Sequence, residues 1–187
     1  MFNKSFVSLF FSVERLQILQ LTRPKNKVFK YLTVDLPKGL ISNYKVEDKE
    51  ALASILKTTW NKLGLKEKSV GIVVPEFSTF TKLLSLPNIE VSEIDEAVAW
   101  QAQEFLPNDP DSMVMDWEIV GKKKNGYEVL ACAIGKEILN GYVESCDIAG
   151  LFPLVVEIPS ISLVRILDPK KGGRLILYKN FGEIIIT

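Results

Sequence analysis

A β-hairpin and the two helices that bracket it constrain this chain more than any other stretch. From Val91 to Val155, an amphipathic helix ends at Phe105-Leu106-Pro107, a pair of strands turns on Asn125-Gly126, and a second helix ends on Gly150. The apolar run Leu151–Val156 follows. Met113–Val120 alternates Met115, Trp117 and Ile119 against Val114, Asp116 and Glu118, the period of a strand with one buried face. Asn-Gly favours the positive φ angles of a type I′ turn, so Tyr127–Ile134 is expected to return as the partner strand. Proline breaks a helix interior, so Pro107 ends the first helix. Such a helix–hairpin–helix unit is expected to form a small subdomain inserted into a larger framework.

Before this unit, Phe6–Phe11 is continuously apolar, Arg15–Leu21 is mixed and Lys27–Leu36 alternates loosely, so three strands are expected. A helix follows, with Asp48 as N-cap and Glu50 in its first turn. Leu52, Ile55, Leu56, Trp60 and Leu63 make its apolar stripe, and Gly64 ends it. Val70–Val74 reads as a short buried strand and Phe77–Leu86 as an extended segment closed by Pro87. Ser92 with Asp95 has the form of a capping box. The helix it opens carries Ile94, Val98 and Phe105 on one face, with Ala97 and Ala102 beside them. After the hairpin, Ile138, Leu139, Tyr142, Val143 and Cys146 mark the second helix. Phe152–Ile158 is expected as a strand, Pro159 as the first turn of a helix to about Leu167, and Asp168–Gly173 as a charged connector. Leu175–Tyr178 and Gly182–Ile186 read as a further hairpin. Strands covered by helices predict an α/β (α+β) fold. The chain stops inside an apolar strand, as expected of a fragment or of a protein without its second half.

The 187 residues are 47% hydrophobic, with 23 basic and 23 acidic side chains. This is the composition of a globular protein, and zero net charge favours neither nucleic acid nor an anionic membrane. Histidine is absent, which removes the commonest general base and metal ligand. Cys132 and Cys146 are too far apart for a CxxC motif and fall in strand and helix patterns, as small core residues do. Asn108-Asp109-Pro110-Asp111 lacks the EF-hand spacing and reads as solvated loop. Lys122-Lys123-Lys124 reads as a solubilising edge. The apolar run near the N-terminus meets Glu14-Arg15 at once and lacks a cleavage site, which favours a first strand over a signal peptide. No stretch approaches the ~20 apolar residues of a membrane-spanning helix.

Three stretches, taken in order, resemble a known family. They are Phe80-Thr81-Lys82-Leu83-Leu84-Ser85-Leu86-Pro87, then Ala97–Pro107 (AVAWQAQEFLP), then Val129–Leu151 with its AIGKE and AGL. They are similar to a strand ending in Leu-Pro, a helix ending in Leu-Pro and a hairpin leading to a helix in the PilM family. These are actin-like type IV pilus assembly proteins related to the cell-division protein FtsA. The resemblance covers essentially the whole chain and is carried by order and spacing. It implies the first lobe of an actin-like, RNase H-like ATPase fold. A core subdomain (1A-like) would span residues 5–78 and 153–168, an inserted subdomain (1C-like) 79–152, and the start of a second lobe 174–187.

In that family the first strand and turn resemble DIGSSSIK, whose acid and glycine serve nucleotide phosphates and Mg²⁺. This chain reads Phe10-Phe11-Ser12-Val13-Glu14-Arg15-Leu16-Gln17 there, with Phe10 at the acid, Ser12 at the glycine and Gln17 at the lysine. Phenylalanine can neither hold a metal-bound water nor let a phosphate approach backbone amides as glycine does. The second phosphate motif would fall near Leu177-Tyr178-Lys179-Asn180-Phe181-Gly182 and lacks its aspartate. No nucleotide, metal or catalytic residue is therefore expected.

The resemblance implies a non-catalytic cytoplasmic scaffold of a type IV pilus or type II secretion-like machine, held at the inner face of the cell membrane through a partner. That partner would be the short N-terminal tail of a PilN-like inner-membrane protein, in an apolar groove between the core and inserted subdomains. Candidate lining residues are Phe80, Lys82, Trp100, Glu104, Phe105, Leu106 and Pro107. Phe105 and Leu106 fit the helix's own core as well. Trp100 lies off the Ile94–Val98–Phe105 stripe and either packs against the neighbouring subdomain or offers an anchor. Two other readings stay open. One is a degenerate actin-like ATPase that needs the missing lobe. The other is a carboxylate hydrolase using Glu90, Glu93 or Glu96, which the helix dipole favours in any case. A homo-oligomer also fits.

Overall fold

The structure, a computed structural model, describes residues 6–22, 27–107, 109–167, 175–180 and 183–186. It divides into two compact units, Met1–Glu76 with Asn140–Thr187, and Phe77–Leu139. The first unit holds strands β1 (Phe6–Phe11), β2 (Arg15–Thr22), β3 (Lys27–Asp35), β4 (Ile41–Ser42), β5 (Lys45–Val46) and β6 (Ser69–Val73), with helix α1 (Lys49–Leu63). The second holds β7 (Thr79–Pro87), helix α2 (Ile94–Phe105), β8 (Met113–Lys123) and β9 (Gly126–Gly135). Helix α3 (Lys136–Ile148) then leads to β10 (Phe152–Glu157), α4 (Pro159–Leu167) and the antiparallel pair β11 (Leu177–Asn180) and β12 (Glu183–Ile186). Among the described residues no helix is long and apolar enough to cross a membrane.

In the first unit the sheet order is β10-β6-β1-β2-β3. The first three strands in sequence form an antiparallel meander, while β6 and β10 join in parallel. Alternate side chains Val7, Leu9, Phe11, Leu16 and Ile18 are fully buried, which is why these apolar stretches form strands with one face in the core. Helix α1 is set at both ends as its sequence predicts. The Asp48 carboxylate accepts from the Ala51 N–H at 2.8 Å, and Gly64 takes the left-handed conformation at φ 57°. Lys30 reaches across from β3 to donate to the carbonyls of Leu63 and Gly64, favourable charge at a helix C-terminus. On α3, Tyr142 is fully buried with its ring 4.9 Å from that of Phe11, and its hydroxyl donates to the Tyr44 carbonyl at 2.8 Å. Burial, with the charge of Asp147 adding to it, pushes the Cys146 thiol up to about 12.

In the second unit the sheet order is β7-β9-β8. Leu84, Leu86, Val129 and Ala131 on its inner face pack with Ile94 and Val98 of α2. The hairpin forms as expected, but its turn lies one residue earlier than Asn125-Gly126. Lys123 pairs with Gly126, so Lys124 and Asn125 are the central residues, and neither has positive φ. Gly126 is required for another reason. At φ 152° it sits in the ladder opposite Pro87, and a Cβ there would lie 1.9 Å from the Leu86 carbonyl oxygen. Among the described residues, the two-residue turn with positive φ at both centres is Asn43-Tyr44 (49° and 65°), joining β4 to β5. Without a glycine it gave no hairpin signal in the sequence.

The start of α2 also differs from expectation. A 3₁₀ turn, Val91–Glu93, precedes it, and the Glu93 carboxylate accepts from the Glu90 N–H at 3.0 Å, so the box is Glu90/Glu93 and not Ser92/Asp95. The Asp95 carboxylate accepts instead from the Trp117 indole at 2.6 Å, tying α2 to β8. Phe77 and Ser78 lie in a 3₁₀ turn ahead of β7 and are not part of the strand. Asn108, the connector Asp168–Gly173, and Phe181-Gly182 of the second phosphate stretch fall outside the described residues.

Candidate functional site

All seven candidate residues lie in the second unit, on β7, on α2 and just beyond it. Opposite residues of an antiparallel pair share a face. Phe80 faces Ala133 and Lys82 faces Ala131, so both stand on the side of the sheet that α2 covers. Coverage ends early, because α2 stops at Phe105. Leu106 turns extended, donating its N–H to the Ala102 carbonyl at 3.0 Å, and a proline follows. Beyond the helix end β7 forms an open shelf, while Ala133 and Met113 on the same face of the neighbouring strands stay buried. Phe80 is 37% exposed there. The Lys82 ammonium stands 5.2 Å from the centre of the Phe105 ring, a cation–π contact worth about 0.5–1 kcal/mol at such a site. Phe105 and Leu106 are half-buried and Pro107 is exposed, so Phe105 both closes the core and forms the shelf's rim.

Trp100 is elsewhere. It is 66% exposed and lines a hollow of about 450 Å³ with Leu86, Pro87, Ile89, Ala97 and Gln101. Glu93 and Glu96 line the same hollow, and exposed Glu104 lies one helical turn beyond Trp100. The seven residues thus separate into a Phe80–Lys82–Phe105 shelf and a Trp100 hollow with an acidic flank. Of the hollow's other residues, Glu93 and Glu96 were expected only in the hydrolase reading and the rest not as site residues. Helical spacing could have grouped Glu96 and Ala97 with Trp100, which they precede by four and three positions, but not Leu86, Pro87 and Ile89, which lie off the helix. Glu90 and Glu93 are used in the capping pair described above.

The turn from β1 to β2 does not fit a phosphate. Phe11 is fully buried and Ser12 nearly so. The Ser12 N–H donates to the Arg15 carbonyl at 2.8 Å, while its hydroxyl oxygen accepts from the Arg15 N–H at 3.0 Å. Both groups are spent within the turn. The parallel strands β6 and β10 end beside the N-terminus of α4, where a phosphate would be favoured by the dipole. The Glu76 carboxylate already occupies that position, accepting from the Ser160 N–H at 2.9 Å and its hydroxyl at 2.6 Å. Glu157 accepts from the Ser162 hydroxyl and pairs with Arg165. Among the described residues no group of three His, Cys, Asp or Glu is arranged to hold a metal ion.

The sequence model of the type IV pilus assembly protein PilM family matches residues 10–169. No curated protein matches the sequence. In structure the chain is similar to a chain of a PilM–PilN type IV pilus biogenesis complex, with TM-score 0.84 and 20% identity over 94% of this chain and 54% of that one. It is also similar to the cytoplasmic domain of EpsL, an inner-membrane component of the type II secretion system of Vibrio cholerae. There the TM-score is 0.58 and the identity 10%, over 82% of this chain and 57% of that one. At these identities the likeness is one of fold, and the chain spans little more than half the length of either structure.

Proposed function

Because the chain belongs to the family of the type IV pilus assembly protein PilM, we propose that it is a non-catalytic cytoplasmic adaptor of a pilus or secretion machine. It would sit at the inner face of the membrane by capturing the N-terminal tail of a PilN-like membrane protein. The observation that carries this reading is exposed Phe80 on β7 with exposed Lys82 two residues on, the Lys82 ammonium lying against the half-buried Phe105 ring. An exposed aromatic beside a cation is the kind of anchor that peptide sites use. The resemblance of this chain to one partner in a PilM–PilN complex supports the class of occupant. Titration with the N-terminal tail of a PilN-like protein from the same genome tests it. Binding is expected, and removing both Phe80 and Lys82 side chains should weaken it by about tenfold, roughly 1.4 kcal/mol. A tail that does not bind would refute the adaptor reading.

The absence of catalysis is part of the same proposal. Phe10 and Ser12 stand where the family's acid and glycine would, and Glu76 sets a negative charge where a phosphate would be received. Saturating ATP with Mg²⁺ is expected to leave the melting temperature unchanged. Ligand at about 100 times its Kd would add about 2.7 kcal/mol of stability, so a rise of several degrees would revive the degenerate-ATPase reading.

A further inference from the structure

We infer that the outer edge of β7, with the Trp100 hollow beside it, takes an extended cationic peptide by strand addition. An uncovered sheet edge invites pairing with another chain, and proteins blunt such edges with bulges, charges or covering segments. Three of the four outer strands in the two larger sheets carry an extra residue that breaks register: Phe29 in β3, Val120 in β8 and Leu154 in β10. Strand β7 carries none. It pairs with β9 without a shift from Thr79 to Pro87. Its residues from Phe80 to Leu83, and Ser85, are exposed. Its one charge, Lys82, is drawn over the Phe105 ring. Apart from Lys82 and the closing Pro87, nothing in the strand's own sequence blunts this edge.

The flank of α2 along β7 supplies the side-chain chemistry. An added strand sends alternate side chains toward α2, and the hollow between Pro87, Ile89, Ala97 and Trp100 accepts an aliphatic one. Exposed Glu96 and Glu104 lie one helical turn to either side of Trp100 on α2, and a lysine or arginine of the peptide seated there would gain both an ion pair and a cation–π contact. The occupant is therefore an extended segment in which Lys or Arg alternates with Leu or Ile. As the mode in which a membrane partner's tail is held, this rests on the adaptor reading above.

Fluorescence anisotropy with a labelled Lys/Leu alternating peptide of about ten residues, roughly 33 Å when extended, tests it on the intact chain. Binding is expected, about tenfold weaker for the Glu/Leu counterpart and about tenfold weaker again when alternate backbone amides are N-methylated. Trp100→Ala should lose a similar factor with unchanged far-UV circular dichroism. The double variant Glu96→Lys/Glu104→Lys, confined to the surface, should reverse the preference between the two peptides. Failure of the basic peptide to bind, equal binding of the acidic one, or indifference to N-methylation would each overturn the inference. A partner tail that binds but tolerates N-methylation overturns strand addition and leaves the adaptor reading standing. A tail that fails while the designed peptide binds overturns the adaptor reading alone.

Discussion

Replacing Gly126 by alanine should open the β7–β9 end of the inserted unit. The added methyl carbon would lie 1.9 Å from the Leu86 carbonyl oxygen and 2.9 Å from the Pro87 carbonyl carbon. Both obstacles are backbone, so no side chain can swing away to make room. The residue's φ of 152° is also one that side chains with a Cβ rarely adopt, a strain of about 1–3 kcal/mol. Relieving the clash means giving up the pairing of Pro87 with Gly126, about 1 kcal/mol more for the lost ladder bond. The total is about 2–4 kcal/mol, or roughly 30- to 700-fold faster opening. Amide hydrogen exchange resolved to β7 and β9 measures this directly, whereas a single melting temperature for a chain of two compact units does not isolate it. Exchange accelerated less than about threefold, under roughly 0.7 kcal/mol, would refute the geometry. Asn125→Gly is the companion. A type I′ turn centred on Asn125-Gly126 would make Asn125 a positive-φ position, but its φ here is negative, so no stabilisation is expected from glycine.

Three further outcomes follow from buried or paired groups. The Cys146 thiol should resist alkylating reagents at neutral pH in the folded chain and react only on unfolding, because its pKa is pushed up to about 12. Since the folded thiol holds its proton more tightly than the unfolded one, its contribution is intact below about pH 9 and is lost as pH rises toward 12. A pH titration of denaturant midpoints should therefore fall over that window, and Cys146→Ala should flatten the fall. Glu76→Ala removes the acceptor of two hydrogen bonds at the start of α4 and should cost about 1–2 kcal/mol by chemical denaturation. Asp48→Ala removes a cap with one such bond and should cost about 1 kcal/mol.

Much of the fold was legible because local chemistry and burial agree along the chain. The strands of the meander, the caps of α1, the helix through Tyr142 and Cys146, and the start of α4 at Pro159 all appear where apolar periodicity and capping residues put them. The resemblance to the PilM family and the α/β class hold as well. Failures came where a pair of residues fits two neighbouring registers. Asn125-Gly126 has the composition of a type I′ turn, but the close approach of Leu86 fixes Gly126 in the ladder and moves the turn one residue back. Ser92 and Asp95 could have closed a box, but the Trp117 indole takes Asp95, and the adjacent Glu90 and Glu93 cap in their place.

The same division runs through the candidate surface. Residue order alone was enough to say that Phe80, Lys82 and the residues from Trp100 to Pro107 belong to one strand and one helix. Strand and helix periods are local properties, written in neighbouring side chains. Which of those residues meet was decided by the register of β7 on β9 and by where α2 ends. Those two facts bring Lys82 over Phe105 and leave Trp100 beside Pro87, in a different hollow with different charge. Unbroken register along β7 depends on pairing with residues some 50 positions later in the chain. No window of sequence carries that information, because the energy that sets it arises only when the strands are side by side.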